Sequence, residues 1–293
     1  ALFTHPTVEQ LAALLDQRPA GSEAGDSGLG PLVRLVQGDA ALAPLFVVHP
    51  AGGIAWCYGG LARALSPRRS VLGLQAPALA PGIATPPSLD ALAADYAARI
   101  MEARPAGMIH LLGGSVGGIL AHAVALHLRA HGRAVGLLAM LDAYPSDAWR
   151  AEPEPDDNAP LRALLAIAGH DPDRLPDLPL TREAVVDFLR QGDSPLGRLP
   201  DAALDGVVRV VRGNNRLVRA HRHGHYDGTI THFHAALDHA GRTISPAMWH
   251  PYAATVAVID IPALHAELTG AAATARIAPV VSALLAGFDD AAA

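Results

Sequence analysis

The chain has 293 residues, 51% of them apolar, with 22 basic and 28 acidic side chains and a formal net charge of −6. That content fills one large core, or a core with a smaller insertion, and an acidic balance without a basic stripe argues against a nucleic-acid partner. No apolar run reaches the roughly 18 residues of a membrane span, the first residues lack the charged start of a signal peptide, and the lone Cys57 excludes an intrachain disulfide and fits a reducing cytoplasm.

Thr7 is placed to cap a short helix over Val8–Leu15. Residues 19–31, rich in Gly, Ser and acid, read as a flexible linker, and a new domain is expected from Leu32. Leu32–Leu35 and Leu45–His49 read as strands, Ala55–Leu65 as a helix and Val71–Gln75 as a strand. Ser88 caps a helix to about Ala103 that presents Leu89, Leu92, Ala93, Tyr96 and Ile100 on one face. Met108–Leu112 is a strand, a helix begins after Ser115, and Val135–Leu141 is a further strand. Strands alternating with helices predict an α/β fold, a mostly parallel sheet covered on both faces.

The alternation stops after Asp142. From about 151 to 222 the pattern is helical: Leu161–Ala168, Thr181–Arg190 and Ala202–Arg219, the last with Leu204, Val207, Val208, Val211 and Val218 available for one apolar face. Such an insertion between strands is expected to be a lid. The sheet resumes at Gly228–Ala236 and Thr255–Ile261, and Ala272–Phe288 closes the chain as a helix.

Ser115 lies in Gly113-Gly114-Ser115-Val116-Gly117-Gly118, between a buried strand and a helix. A serine at that corner is pushed out of the sheet with its hydroxyl exposed, and Gly113 and Gly117 allow the sharp turn. The helix beneath offers oriented N–H groups where an oxyanion could form. A serine hydroxyl needs a base, and the base needs an orienting group. Asp142 ends its strand at the sheet edge where the serine lies. His265 follows the strand 256–261 and can reach both; His232, His234, His239 and His250 are the alternatives. The Ala51 N–H, in His49-Pro50-Ala51-Gly52-Gly53, and the Val116 N–H are the expected oxyanion donors.

Together Leu45–Gly53 with Tyr58 and Leu61, Gly113–Gly118, and Trp249, Tyr252 and Val256–His265 resemble the thioesterase domain of a nonribosomal peptide synthetase. Leu2–Ala12 resembles the end of a peptidyl carrier domain whose phosphopantetheine serine would lie upstream. The resemblance implies an α/β-hydrolase fold with a helical lid. Residues 1–18 would be the carrier remnant, 19–31 the linker and 32–293 the thioesterase domain with its lid at about 151–222. It implies that Ser115, His265 and Asp142 catalyse acyl transfer and that Ala51 and Val116 hold the oxyanion. It further implies that the domain binds no cofactor of its own, that phosphopantetheine on a carrier domain in cis delivers the peptidyl group, and that the excised domain is monomeric. Hydrolysis, cyclisation and added chemistry at the acyl α-carbon by a spare histidine stay open. A general serine esterase or lipase, and a non-catalytic binding module, are the alternatives.

Gly114 stands where such enzymes often carry a bulky residue, which implies more room beside the nucleophile or a looser elbow. His221, His223 and His225, and His232 and His234, alternate as ligands on one strand face could, but no cysteine and few carboxylates lie near, so no metal is expected. Cys57 reads as a small buried apolar residue. Arg68 and Arg69 read as solvated, with contact to carrier phosphate as the alternative.

Overall fold

The computed structural model describes residues 28–170, 172–192, 194–239 and 244–292. The expected carrier remnant at 1–18 and residues 19–27 of the expected linker lie outside these. At the described end, Gly28 and Gly30 carbonyls accept from the Gln75 side-chain amide at 2.8 and 2.9 Å, and the Trp56 indole N–H reaches Gly28 O at 3.0 Å.

Among the described residues seven strands form one sheet: β1 (Leu32–Val36), β2 (Leu45–Val48), β3 (Val71–Leu74), β4 (Ile109–Gly114), β5 (Val135–Leu141), β6 (Tyr226–Ala235) and β7 (Ala253–Ile261). Their spatial order is β1-β3-β2-β4-β5-β6-β7; only β1 is antiparallel to its neighbour. The central strands are apolar on both faces. In β2, Phe46 and Val48 point into one core layer and Leu45 and Val47 into the other; β5 repeats this with Leu138 and Met140 against Leu137 and Ala139. Helices α2 (Leu89–Ala103) and α3 (Val116–Ala130) cover the first face, and α1 (Gly59–Leu65) and α8 (Ala271–Ala292) the second. Ser88 caps α2, its hydroxyl accepting from Ala91 N at 3.0 Å.

By length and composition Ala271–Ala291 of α8 could cross a membrane, contrary to the expectation from uninterrupted apolar runs. Here it lays Ala273, Ile277, Ala278, Val281 and Leu285 onto the sheet. Arg69 is not solvated as expected. It is 2% exposed, pairs with Asp289 of α8 at 2.5 Å and donates to Ala43 O, so it anchors that helix.

The insertion holds α4 (Ser146–Ala151), α5 (Ala159–Ile167), α6 (Arg182–Gln191) and α7 (Asp201–Ala220). Six-residue α4 is too short to show a helical period and is absent from the sequence reading. The insertion has its own apolar centre, where Leu164, Val185, Leu189, Leu204, Val207 and Val210 meet Ile54, Ala76 and Leu79 of the main body. On α7, Val210 and Leu217 are buried, whereas Val208 and Val211 sit at the border of the stripe. The segment with His221, His223 and His225 is not a strand; it is an irregular link between α7 and β6.

Candidate active site

β4 runs two residues further than its apolar stretch suggests, because Gly113 and Gly114 stay in register with Met140 and Leu141 of β5. The chain then turns in a single residue. Ser115 has φ 53° and ψ −124°, and its N–H donates to Leu141 O at 3.0 Å. A Cβ on Gly113 would lie 2.1 Å from Gly117 O, and one on Gly117 2.4 Å from Val48 O. Only glycine lets α3 start so close to β2 and β4. Gly114 does not loosen this elbow. Its N–H donates to Tyr58 Oη at 2.7 Å, and that hydroxyl donates to Val48 O at 2.9 Å, tying the elbow to the neighbouring strand.

Asp142 follows β5 with φ 45° and is 1% exposed. Its Oδ1 accepts from Tyr144 Oη at 2.8 Å and Ala235 N at 3.1 Å. Its Oδ2 lies 2.7 Å from His265 Nδ1 and 2.6 Å from His239 Nε2. Burial alone would raise the carboxyl's pKa. The hydrogen bonds from His265, His239, Ala235 and Tyr144 outweigh it and hold the group well below the usual carboxylate range. Asp142 is therefore an ionised, acceptor-only group at neutral pH. The His265 Nδ1 that faces it is therefore a donor, and Nε2 is the ring nitrogen left for other partners.

Ser115 and His265 line the same two cavities. One, of about 340 Å³, also takes in Asp142, Tyr144, Trp149 and Arg219; the other, of about 470 Å³, is mostly apolar, with Ile54, Trp56, Ile167 and Leu196. A third cleft of about 530 Å³ on α7, lined by Arg209, Arg212 and Arg216, contains none of these residues. Ser115 Oγ has no hydrogen-bond partner among the described residues.

Ala51 lines the apolar cavity, and neither its N–H nor that of Val116 has an acceptor among the described residues. The Ala51 carbonyl is held from the lid: buried Asn214 of α7 donates its amide to it at 2.9 Å. A Cβ on Gly52 would lie 2.3 Å from Ile167 Cδ1 of α5, so the helical insertion packs directly against this loop. His49 is fully buried, its ring between Pro50 O and Tyr96 Oη at 2.6 Å each, and desolvation lowers its pKa to about 4.

The other histidine candidates have other partners. His232 is fully buried, with Nε2 on Ala143 O at 2.9 Å, and His234 pairs with Asp260 at 2.9 Å. His250 lies in the 3₁₀ segment before β7. Desolvation pushes the Cys57 thiol up to about 12, so it is no thiolate at neutral pH. Asp142, His239 and His265 present ligand atoms within 4.8 Å of one another, the one such group among the described residues. A metal there would displace both imidazole hydrogen bonds from the carboxylate. Sequence reasoning missed Asp238, Tyr144 and Asn214 as parts of the site, and gave His239 no role beyond that of an alternative base.

A family model described as a thioesterase domain matches residues 43–278. The chain belongs to the thioesterase domain family. This thioesterase domain is 36% identical over 287 residues to a dimodular nonribosomal peptide synthase of Bacillus subtilis (strain 168), covering 97% of this chain and 12% of that protein. It is 28% identical over 288 residues to enterobactin synthase component F of Escherichia coli (strain K12), covering 95% of this chain and 20% of that protein. The chain thus spans a small part of these relatives. Among solved structures it is similar to a four-domain nonribosomal peptide synthetase bound to AMP and glycine (TM-score 0.75, 22% identity, 97% of this chain and 22% of that one). It is also similar to the Vlm2 thioesterase domain (TM-score 0.64, 24% identity, 85% of this chain and 95% of that one). These likenesses bear out the expected α/β-hydrolase fold with its mostly parallel sheet.

Proposed function

We propose that this thioesterase domain ends peptide assembly. It takes a peptidyl group from a phosphopantetheine thioester on a carrier domain of the same polypeptide and releases it. The observation that carries the reading is the Asp142–His265 pair at 2.7 Å, with His265 and the elbow residue Ser115 on the same two cavities. His265 Nε2 takes the Ser115 proton as Oγ attacks the thioester carbonyl. The Ala51 and Val116 N–H groups stabilise the tetrahedral oxyanion, and the imidazolium returns the proton to the departing thiolate. The acyl-Ser115 ester is then attacked by water, giving an acid, or by an amine or hydroxyl of the same acyl chain, giving a ring. His265 again accepts the nucleophile's proton and returns it to Ser115 Oγ. The two cavities meeting at Ser115 give the acyl chain and the thiol separate spaces. No cofactor bound by this domain enters the scheme, since phosphopantetheine arrives on the carrier.

A fluorophosphonate should label Ser115 and no other residue, and Ser115→Ala should abolish turnover of peptidyl-N-acetylcysteamine thioesters. Labelling without any thioester turnover, together with rapid cleavage of simple p-nitrophenyl esters, would favour a general esterase. Absence of labelling would remove both.

A further inference from the structure

Two histidines, not one, converge on Asp142. His239 Nε2 lies 2.6 Å from Oδ2, the oxygen His265 uses at 2.7 Å, and their ring centroids are 6.2 Å apart. His239 is held for this contact. Its backbone has φ 63°, its N–H donates to Asp238 Oδ1 at 2.8 Å, and its side chain is 10% exposed. The other oxygen of Asp238 accepts the His265 N–H at 3.0 Å. One carboxylate therefore holds the two backbones while the other holds the two rings. Among the described residues His265 lines both cavities containing Ser115, whereas His239 lines neither.

We propose that His239 is a positioning residue for the base: by donating Nε2–H to Asp142 Oδ2 it locks the carboxylate's orientation and limits the charge that oxygen presents to His265. An ionised carboxylate only accepts, so both nitrogens facing it are donors. Oδ1 is fixed by Tyr144 and Ala235, and His239 supplies the second anchor on Oδ2. Without it Oδ2 serves His265 alone and holds the imidazolium form more tightly, and the carboxylate gains freedom to rotate. The charged and titratable groups facing His265 are Asp142, His239 and Asp238, with Glu267 on its own turn and Glu152 and Arg219 across the cavity.

The inference rests on the acyl-serine reading, and its test separates the two. With an aminoacyl-N-acetylcysteamine thioester, His239→Leu should lower kcat about tenfold with KM within about twofold. It should also move the acid limb of kcat/KM about half a pH unit upward, and His239→Gln, which keeps an N–H donor, should restore both. A folded His239→Leu enzyme with an unmoved acid limb overturns the proposal, as does failure of His239→Gln to rescue. A measurement on the unmodified protein covers the case in which a variant does not fold. Histidine ¹⁵N NMR at neutral pH should show His265 protonated on Nδ1 and His239 on Nε2, and the opposite tautomer at His239 overturns the proposal. Loss of fluorophosphonate labelling at Ser115 in the unmodified protein would instead overturn the acyl-serine reading.

Discussion

Asn214 is the point at which the lid touches the proposed oxyanion loop chemically, and its removal has a calculable effect. The Pro50 and Gly53 carbonyls of this turn are held by main-body partners: Gly53 N reaches Pro50 O at 3.1 Å and Ala76 N reaches Gly53 O at 2.9 Å. The Ala51 carbonyl depends on Asn214 of α7, itself 4% exposed. Asn214→Ala leaves that part-buried acceptor without its protein donor, which costs up to about 1–3 kcal/mol, less where cavity water replaces the amide. The turn can recover part of this by rotating the Ala51–Gly52 peptide, and that rotation shifts the Ala51 N–H relative to Ser115. Complete loss of one oxyanion donor lowers kcat by about 10²–10³, which sets the ceiling. We therefore expect kcat to fall about 10- to 100-fold with KM within about twofold, because the lost interaction belongs to the transition state. Asn214→Asp, similar in size but with an oxygen facing Ala51 O, should do no better. Steady-state kinetics on an aminoacyl-N-acetylcysteamine thioester, with a thermal melt to establish folding, decides it. A folded Asn214→Ala enzyme with unchanged kcat, or one whose loss lies entirely in KM, refutes the link between lid and oxyanion loop.

Acid should unfold the protein well above the usual carboxylate range. His49, His110, His122 and His232 are each at most 1% exposed, and desolvation lowers each to about 4 from 6.5. The unfolded chain takes up these protons first, so stability is full above about pH 6.5 and falls by up to about 1.4 kcal/mol per pH unit per histidine as pH drops toward 4; urea midpoints that stay level from pH 7 to 5 would contradict this. Gly114→Trp should cut kcat/KM for large acyl thioesters about 10- to 200-fold relative to small ones. Gly114 lines the apolar cavity, and a Cβ there would already lie 3.2 Å from Tyr58 Oη, so the added bulk narrows the space beside Ser115; equal handling of large and small substrates speaks against an acyl role for that cavity.

The parts of the site that local sequence determines were readable. Gly113 and Gly117 around Ser115 are needed within one turn of chain, and Asp142 and His265 stand at the ends of strongly apolar strands, so strand-end logic brings them to one sheet edge. Asn214 and His239 were not readable as site residues. Each acts through a contact more than 90 positions away, and nothing local marks them. The lid was legible as helical but not in its facing. α7 buries residues against both the main body and its own neighbours, so one apolar stripe drawn at 3.6-residue spacing took in Val208 and Val211 and left out Val210 and Leu217. Arg69 misled for the same reason: an arginine in a Pro-flanked loop is ordinarily solvated, and its partner Asp289 lies 220 residues on.

Backbone strain ties the site together independently of any motif. Among the described residues, the non-glycine positions with positive φ are Ser115, Asp142 and His239. Such conformations cost about 1–3 kcal/mol each and persist only where surrounding contacts over-determine them. The contacts are visible: Ser115 N–H on Leu141 O, four donors on the Asp142 carboxylate, and the Asp238 carboxylate on the His239 N–H. Ser115 and Asp142 need their strain to aim a hydroxyl and a carboxylate out of the sheet edge. That the same backbone strain recurs at His239, with the ring aimed at the Asp142 oxygen that also faces His265, is the geometry the proposed positioning role requires.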